Sequence, residues 1–400
     1  MSGLRQFRTL TPLLEVIEVH INDLLKMAIE RSASDIHLKV GQHPVIRING
    51  DLYPLVDIKR LLQEDTIAIA FSIMSDRQKE RFKKTLEIDM AHSVPGLGRF
   101  RCNIFQQRGT VGMVFRVIPV KILGIDALNL PKVLKKVCLE KRGMVLVTGT
   151  TGSGKSTSLA AMIDYINSTR SEHIMTIEDP IEFLHRDKRS LVNQREIDVD
   201  TRNFSGALRS ALRQDPDVIL VGEMRDYETI ETALLAAETG HLVFSTLHTL
   251  DATETVNRII AMFPPHQQQQ IRLQLASVLK AVISMRLLPR IDKEGRVPAV
   301  EAMIATNYIR GCIEDAEKTK LIHDAIAAGV SQYGMQTFDQ SLFHLYKQEM
   351  ITYEEAIKRT TRPDEFKLKI QGIHSTADLG QEVVDRMLSE EASEMKSGAS

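Results

Sequence analysis

The residues Gly149-Thr-Thr-Gly-Ser-Gly-Lys-Ser156 carry the strongest structural signal in this chain of 400 residues. They match the pattern G-x-x-x-x-G-K-[ST], in which the backbone N–H groups of a glycine-rich loop converge on phosphate oxygens at a helix N-terminus. The apolar run Met144–Thr148 precedes the loop as a buried strand would, and Thr157–Ile166 follows it as a helix would. The full motif in this context favours a phosphate-binding loop over a chance glycine-rich turn.

The predicted loop implies its own ligand chemistry. The Lys155 side chain would bridge the β- and γ-phosphates of ATP, and the Ser156 hydroxyl would bind Mg²⁺. ATP and Mg²⁺ are therefore the expected cofactors. The residues expected to bind the nucleotide are Gly149, Thr150, Thr151, Gly152, Ser153, Gly154, Lys155, Ser156 and Thr157.

Two acidic clusters follow apolar runs that are typical of buried strands. Val218–Val221 leads into Gly222-Glu223, the form of a Walker B motif with Glu in place of Asp, and predicts Glu223 as a second Mg²⁺ ligand. A second run leads into the cluster Glu178–Glu182. Parallel strands deliver their C-terminal ends to one edge, where ligands of open α/β sheets bind. Both clusters should face the phosphates, although either alone could be a solvated turn.

Two histidines flank the next apolar run, Leu242–Leu247. An isolated histidine on a strand is more often a satisfied core residue than a catalytic one. His248 would lie at the C-terminal, ligand-binding end of the strand, where contact with the γ-phosphate is as plausible as the core interpretation. His241 would lie at the opposite end, so geometry alone supports it less.

The strand patterns on the two sides of residues 119–131 differ. Residues 21–118 contain runs that alternate apolar and polar residues, which predicts a small α+β domain with an antiparallel sheet and a helix capped by Asn22. Residues 132–374 contain continuous apolar strands separated by helices, which predicts an α/β domain whose parallel sheet is covered on both faces. The segment from Ala252 to about Ile370 is expected to be mostly helical. The alternating runs are Asp35–Val40, Pro44–Asp51, Arg99–Asn103 and Gly112–Val117.

The remaining segments are predicted to lie outside the two domains. Residues 1–20 form an N-terminal extension, and the prolines and glycine of residues 119–131 indicate a linker. Residues 375–400 are rich in Ser, Glu and Ala, which predicts a disordered acidic tail with one short helix near Val383–Leu388.

Composition narrows the class of protein. The 51 Lys and Arg residues nearly balance the 52 Asp and Glu residues, which argues against a protein that coats nucleic acid. There is no Trp and aromatic residues make up 5% of the chain, which disfavours a platform for stacking bases. The three Cys form no CxxC pair, as expected in a reducing cytosol, and no apolar run is long enough to span a membrane.

Four arginines crowd a short segment of the first domain: Arg99, Arg101, Arg108 and Arg116. They could be solvated residues on the strand faces. They could also be arginine fingers, which stabilise charge on a transferred phosphoryl group and can act across a subunit boundary. The residues alone leave both interpretations open.

Taken together, these motifs resemble the secretion ATPases of type IV pili and type II secretion, specifically the pilus retraction motors of the PilT/PilU family. The likeness covers roughly residues 20–373. Four sequence motifs in the family's order make this resemblance specific. Its segments are Gly149–Thr157, Thr176–Glu182, Asp215–Asp226 and Glu238–His248, together with Ala33–Leu38 and Gly98–Arg101 in the first domain.

The resemblance implies a PAS-like domain followed by a RecA-like P-loop ATPase domain, assembled as a homohexamer in the cytoplasm at the inner-membrane face. It implies Glu178 as the general base, Glu223 as a Mg²⁺ ligand and both His241 and His248 as phosphate sensors. Arg101 and Arg116 would reach a neighbouring subunit's γ-phosphate. Hydrolysis would then drive an inner-membrane platform protein docked on the ring.

Retraction is favoured over extension because the chain lacks the extra N-terminal domain and the tetracysteine metal site of the extension ATPases. The segment Gly334–Leu342 resembles the accessory retraction motors, whereas Tyr308–Asp315 matches the family's C-terminal retraction motif only in part. An accessory ATPase that assists a paralogous motor, or a nucleotide-dependent regulator, is therefore the alternative. A DNA translocase is disfavoured by charge and composition.

Overall fold

The computed structural model describes residues 20–48, 50–118, 121–292 and 294–372. The predicted extension, apart from residue 20, and the predicted tail with its short helix lie outside these residues. The chain divides into two compact units between residues 120 and 121. None of the helices in the described ranges is long and apolar enough to cross a membrane.

The first unit is built on a six-stranded antiparallel sheet with the strand order β3-β2-β1-β6-β5-β4. Alternate strand residues such as Ile36, Phe100 and Phe115 are fully buried and pack with apolar residues of three helices, while the opposite face carries the polar residues. The elements are α1 (Ile21–Glu30), β1 (Asp35–Leu38), β2 (Val45–Ile48), β3 (Asp51–Pro54), α2 (Gln63–Ile73), α3 (Asp76–Thr85), β4 (Glu87–Val94), β5 (Gly98–Gln107) and β6 (Thr110–Ile118).

The four alternating runs of the first unit form strands of an antiparallel sheet, as predicted. β1 pairs with β2, and β5 pairs with β6 through a tight turn in which Arg108 and Gly109 both have positive φ. The predicted helix cap is wrong by two residues. His20 is the extended residue before α1, and its Nδ1 accepts the N–H of Asn22 at 3.3 Å, so Asn22 lies inside the first turn.

The second unit contains a mixed seven-stranded sheet with the order β13-β12-β7-β11-β10-β8-β9, in which β13 alone is antiparallel to its neighbour. Its strands and helices are α4 (Val133–Val137), β7 (Gly143–Thr148), α5 (Lys155–Thr169), β8 (His173–Glu178), β9 (Leu191–Glu196), α6 (Phe204–Ala211), β10 (Val218–Val221), α7 (Tyr227–Glu238), β11 (Leu242–Leu247), α8 (Ala252–Ala261), α9 (Gln268–Val278), β12 (Leu279–Pro289), β13 (Arg296–Ile304), α10 (Asn307–Glu314), a 3₁₀ helix (Ala316–Leu321), α11 (Ile322–Ala328), α12 (Val330–Tyr333), α13 (Phe338–Lys347), α14 (Tyr353–Arg359) and α15 (Pro363–Ile370).

The continuous apolar runs of this sheet are explained by burial on both faces. In β7, Met144 and Leu146 belong to one hydrophobic cluster, whereas Val145 and Val147 belong to a second. Alternate side chains of a strand point to opposite faces, so a strand covered on both sides needs an apolar residue at every position. The predicted α/β layering of this unit is therefore present.

The segment from Ala252 onward is mostly helical as predicted, but it also contains the long pair of strands β12 and β13, which the sequence analysis missed. A continuous apolar run does not distinguish a buried strand from a buried helix. Within the stretch predicted as a linker, Ile125 and Leu130 are buried in the core of the second unit. The three cysteines, Cys102, Cys138 and Cys312, are all buried and unpaired.

Candidate nucleotide-binding site

The glycine-rich loop joins β7 to α5, as its motif predicts. Gly149 and Gly154 have φ values of 138° and 97°, which side-chain-bearing residues rarely adopt. A Cβ on Gly149 would lie 2.5 Å from the carbonyl oxygen of Met285, so the close approach of β12 also demands glycine. Lys155 is the first residue of α5, and the loop therefore leads directly into a helix N-terminus.

The Lys155 ammonium group turns back over the loop. Its Nζ donates to the carbonyl oxygens of Gly149 at 2.8 Å and Thr150 at 3.0 Å. Burial lowers the pKa of this lysine, and the negative charges of Glu182 and Glu223 counteract that shift. The structure thus brings one residue from each acidic cluster into electrostatic range of the loop lysine.

The other loop residues differ in exposure. Thr150, Thr151 and Gly152 are exposed, and Ser153 is buried. Ser156 and Thr157, in the first turn of α5, are half-buried. The Ser156 hydroxyl is therefore placed where a helix N-terminus can present it to a bound ion and phosphates.

Glu178 is the last residue of β8 and is held by two side chains. Its Oε1 accepts hydrogen bonds from Thr176 Oγ1 at 2.6 Å and from Gln194 Nε2 at 3.0 Å. Burial raises the pKa of the Glu178 carboxyl, and these donors act against that shift. Sequence reasoning missed Gln194; the only signal for it is a polar residue within a short strand-like segment.

Glu223 follows β10 and contacts two basic side chains. Its Oε2 lies 2.7 Å from Arg225 Nε and 3.7 Å from His248 Nε2. These three residues, with Glu254 and Arg258 of α8, line a pocket of about 370 Å³. The structure therefore brings His248 to Glu223 as predicted from the strand ends, and it adds Arg225, which the sequence analysis did not single out.

His241 lies away from the loop of its own chain, as its position at the opposite end of the strand predicts, and the phosphate-sensing role that the resemblance implies for it stays a prediction. Its Nδ1 lies 2.9 Å from the carbonyl oxygen of Ala236 near the end of α7, and its own carbonyl accepts the N–H of Gly143. Gly143 begins β7, whereas the loop follows the other end of that strand. Within this chain, His241 satisfies a carbonyl at a helix C-terminus.

The predicted arginine fingers lie on the polar face of the first unit's sheet. Arg101 and Arg116 are directly opposite each other on β5 and β6. Asp35 is opposite Arg116 on the next strand, and its Oδ1 accepts from Arg116 Nε at 2.9 Å. Arg47 lies beyond Asp35 in the same row, with its Nε 4.0 Å from Asp35 Oδ2. We call these four residues the arginine row.

The oxygen ligands available at the loop suit magnesium. In the part of the chain that the structure describes, no three His, Cys, Asp or Glu side chains cluster as a metal cage. Mg²⁺ is usually bound by one or two protein oxygens together with phosphates and water. Ser156 and Glu223 supply oxygen donors of this kind, and the charge of Glu223 acts on the loop lysine.

Comparisons with known proteins place the chain in a family. A family model described as type II/IV secretion system protein matches residues 13–384. The type IV pilus retraction ATPase PilT of Pseudomonas aeruginosa is 48% identical over 346 residues, which cover 86% of this chain and 99% of that protein. The type IV pilus ATPase PilU of the same organism is 40% identical over 356 residues, 89% of this chain and 92% of that protein. A crystal structure of the pilus retraction motor PilT with bound ADP matches with a TM-score of 0.81 at 48% identity, covering 87% of this chain and 98% of that one.

Proposed function

Because the chain belongs to the type II/IV secretion system protein family, we propose that it works as a homohexameric motor that retracts type IV pili and so drives twitching motility. It is a P-loop ATPase of the pilus retraction group. The identity with PilT is higher than that with PilU, which favours a primary motor over an accessory one.

The strongest support for ATP hydrolysis in this proposal is the position of the site residues on the sheet. Four neighbouring parallel strands, β7, β11, β10 and β8, end at the same edge of the sheet. The phosphate loop follows β7, and His248, Glu223 and Glu178 follow or end the other three. This is the edge at which open α/β sheets bind their ligands.

The side chains at this edge have separate roles in the proposed reaction. Lys155 would bind the β- and γ-phosphates, and Ser156 and Glu223 would hold Mg²⁺, which would neutralise charge on the phosphates. Glu178 would orient a water molecule and accept its proton. His248, next to Glu223, would contact the γ-phosphate. Hydrolysis would thus depend on residues from three strand ends as well as the loop.

The proposal extends to fold and assembly. The first unit would be a PAS-like domain and the second a RecA-like domain. In the ring, Arg101 and Arg116 would contact the γ-phosphate of a neighbouring subunit, where ATP would order the interface and hydrolysis would release it. The ring would work in the cytoplasm on an inner-membrane platform protein of the pilus machine.

Two variants of the purified full-length chain test the proposal. Lys155→Ala should lose ATP binding because the phosphate ligand is removed. Glu178→Gln should bind ATP normally yet lose at least about 100-fold in turnover, since an amide cannot accept the proton from water. Fluorescent-nucleotide binding and phosphate release measure the two effects.

The variant Glu64→Gln, on the exposed side of α2, is the control and should behave like the parent chain. Wild-type turnover in both Lys155→Ala and Glu178→Gln would refute the proposed function. Deleting the gene, and separately that of any paralogous motor, distinguishes the primary from the accessory role. Loss of pilus retraction in the first strain alone identifies the primary motor.

A further inference from the structure

Gln194 lies in β9, an edge strand of the second unit's sheet, which among the described strands pairs with β8. The pairing places Gln194 opposite Thr176. Its side-chain amide makes three hydrogen bonds across this edge. Nε2 donates to Glu178 Oε1 at 3.0 Å and to the carbonyl oxygen of Phe183 at 2.9 Å, and Oε1 accepts the N–H of His185 at 2.8 Å. An amide side chain has two donors and one acceptor oxygen, and all three groups are used here.

These bonds tie Glu178 to the segment that follows it. The next residue of β9 with the same orientation, Glu196, accepts the N–H of Ile181 at 3.1 Å. Segment 179–185 is thus attached to β9 at three of its residues, and between them lies Glu182, whose charge acts on Lys155. The side chains of β9 therefore hold the backbone of the acidic cluster in place.

The surroundings of Glu178 have two opposing effects on the pKa of its carboxyl group. Burial raises the pKa of its carboxyl most strongly, and the charge of Glu182 raises it further. Hydrogen bonds from Thr176, from Gln194 and from the backbone of Glu182 lower it. The other charged groups nearby are Glu196, opposite Glu178 on β9, and Glu223, which follows β10 on the other side of β8. A carboxylate that accepts a proton must be ionised first, so each donor matters.

We propose that Gln194 is a positioning residue for ATP hydrolysis, which holds the Glu178 carboxylate in one orientation and in its ionised form. The inference rests on the proposed role of Glu178 as general base. Gln194 itself acts through that carboxylate and through segment 179–185. Neither the loop motif nor the acidic motif contains it.

Gln194→Leu in the full-length chain tests the proposal through a pH profile. The substitution removes a donor to the carboxylate, so the pKa of Glu178 should rise. The acid limb of the kcat profile should move up by about one pH unit, so turnover at pH values on that limb should fall by up to about tenfold. Turnover should recover as the pH is raised, while the affinity for a fluorescent ATP analogue changes less than about threefold.

Three further variants complete the experiment. Gln194→Glu keeps an acceptor for His185 but replaces the donor with a negative charge, and should be at least as impaired at pH 7. Asn193→Ala is the matched control, because Asn193 is the neighbour of Gln194 in β9 but its side chain bonds to His173 Nε2, at 2.8 Å, and not to Glu178. This variant should retain wild-type turnover. Glu178→Gln should stay inactive at every pH.

The outcomes separate two failures. If Gln194→Leu keeps wild-type turnover, or loses the same factor at every pH while thermal melting shows it folded, the proposal for Gln194 is overturned. If the Gln194→Leu chain does not fold, Gln194→Glu becomes the deciding variant, and the acid limb of its kcat profile must move to higher pH. If Glu178→Gln itself turns over ATP normally, the general-base assignment fails instead.

Discussion

Glu301 is a carboxylate in the interior of the second unit, on β13. It is 3% exposed, and its Oε1 accepts the N–H of Ala252, the first residue of α8, at 2.8 Å. It lies opposite Ser284 on β12, whose hydroxyl accepts from Thr148 Oγ1 at 3.0 Å. Thr148 is the last residue before the phosphate loop. Two hydrogen bonds, at paired positions of β12 and β13, thus anchor the loop strand and the helix that follows His248.

The charge of Glu301 should make the stability of the folded chain depend on pH. Burial raises the pKa of this carboxyl from 4.5 to about 7, although the Ala252 N–H and Arg286 act in the opposite direction, and Asp251 and Asp339 raise it further. Between these two pH values the folded state holds a proton that the unfolded chain has released. This contribution to stability is therefore complete below pH 4.5 and declines as the pH rises to about 7.

Glu301→Gln, which cannot titrate, should remove that decline. The difference in unfolding free energy between the two proteins should shift in favour of the variant by about 3 kcal/mol between pH 4.5 and pH 8. Urea denaturation at several pH values measures it. Parallel stability curves for the two proteins would contradict the assignment.

At the scale of elements, β12 is a central strand that sequence reasoning missed. It lies between β13 and β7, and the helix α9 runs into it without a break, since Val278 ends the helix and Leu279 begins the strand. No glycine or proline marks the change. The tertiary sheet, rather than local punctuation, determines the switch from helix to strand.

Ile283→Ala tests how much this strand contributes to the core. Ile283 is fully buried in β12, so the truncation should leave a cavity and cost about 3 kcal/mol of unfolding free energy. Leu273→Ala on α9 is the control, because Leu273 is 50% exposed and should cost under about 1 kcal/mol. Equal losses in thermal denaturation would show that β12 is not part of the core.

The parts of the site that were predictable are those with local signatures. Lys155 and Ser156 belong to a contiguous motif, and Glu178 and Glu223 end apolar runs whose character already indicates buried parallel strands. Gln194 and Arg225 were not predicted, because their partners are set by which strands pair and how the chain turns after them. The opposite placement of His241 and His248 at the two ends of β11 was also predictable, because both residues border one contiguous apolar run.

At the scale of the whole molecule, the arginine row destabilises the first unit's sheet through charge repulsion, which suggests that it is kept for a function. Arg101 and Arg116 place like charges directly opposite each other, which destabilises a sheet. Asp35 compensates one of them. A third arginine, Arg47, borders the same aspartate. Concentrated positive charge of this kind is suited to an anion supplied from outside the sheet, as the proposed contact with a neighbour's γ-phosphate requires.

Mixed assemblies test that contact. The double variant Arg101→Ala/Arg116→Ala and the single variant Lys155→Ala should each hydrolyse little ATP alone. An equimolar mixture, dissociated and reassembled, should regain turnover, because roughly a quarter of the interfaces would pair an intact arginine pair with an intact loop. If the mixture does not recover turnover, the arginines either act on the nucleotide of their own chain or have no role in hydrolysis.

The burial of Cys102, Cys138 and Cys312 has a practical consequence. Burial raises the pKa of all three thiols, that of Cys138 to about 12, so few thiolates form at neutral pH. Thiol-reactive dyes attack the thiolate and need access to it. A cysteine introduced at an exposed position, such as Leu52→Cys on β3, which is 52% exposed, should therefore take up a dye selectively. Single-molecule fluorescence of the working motor would then need no removal of its native cysteines.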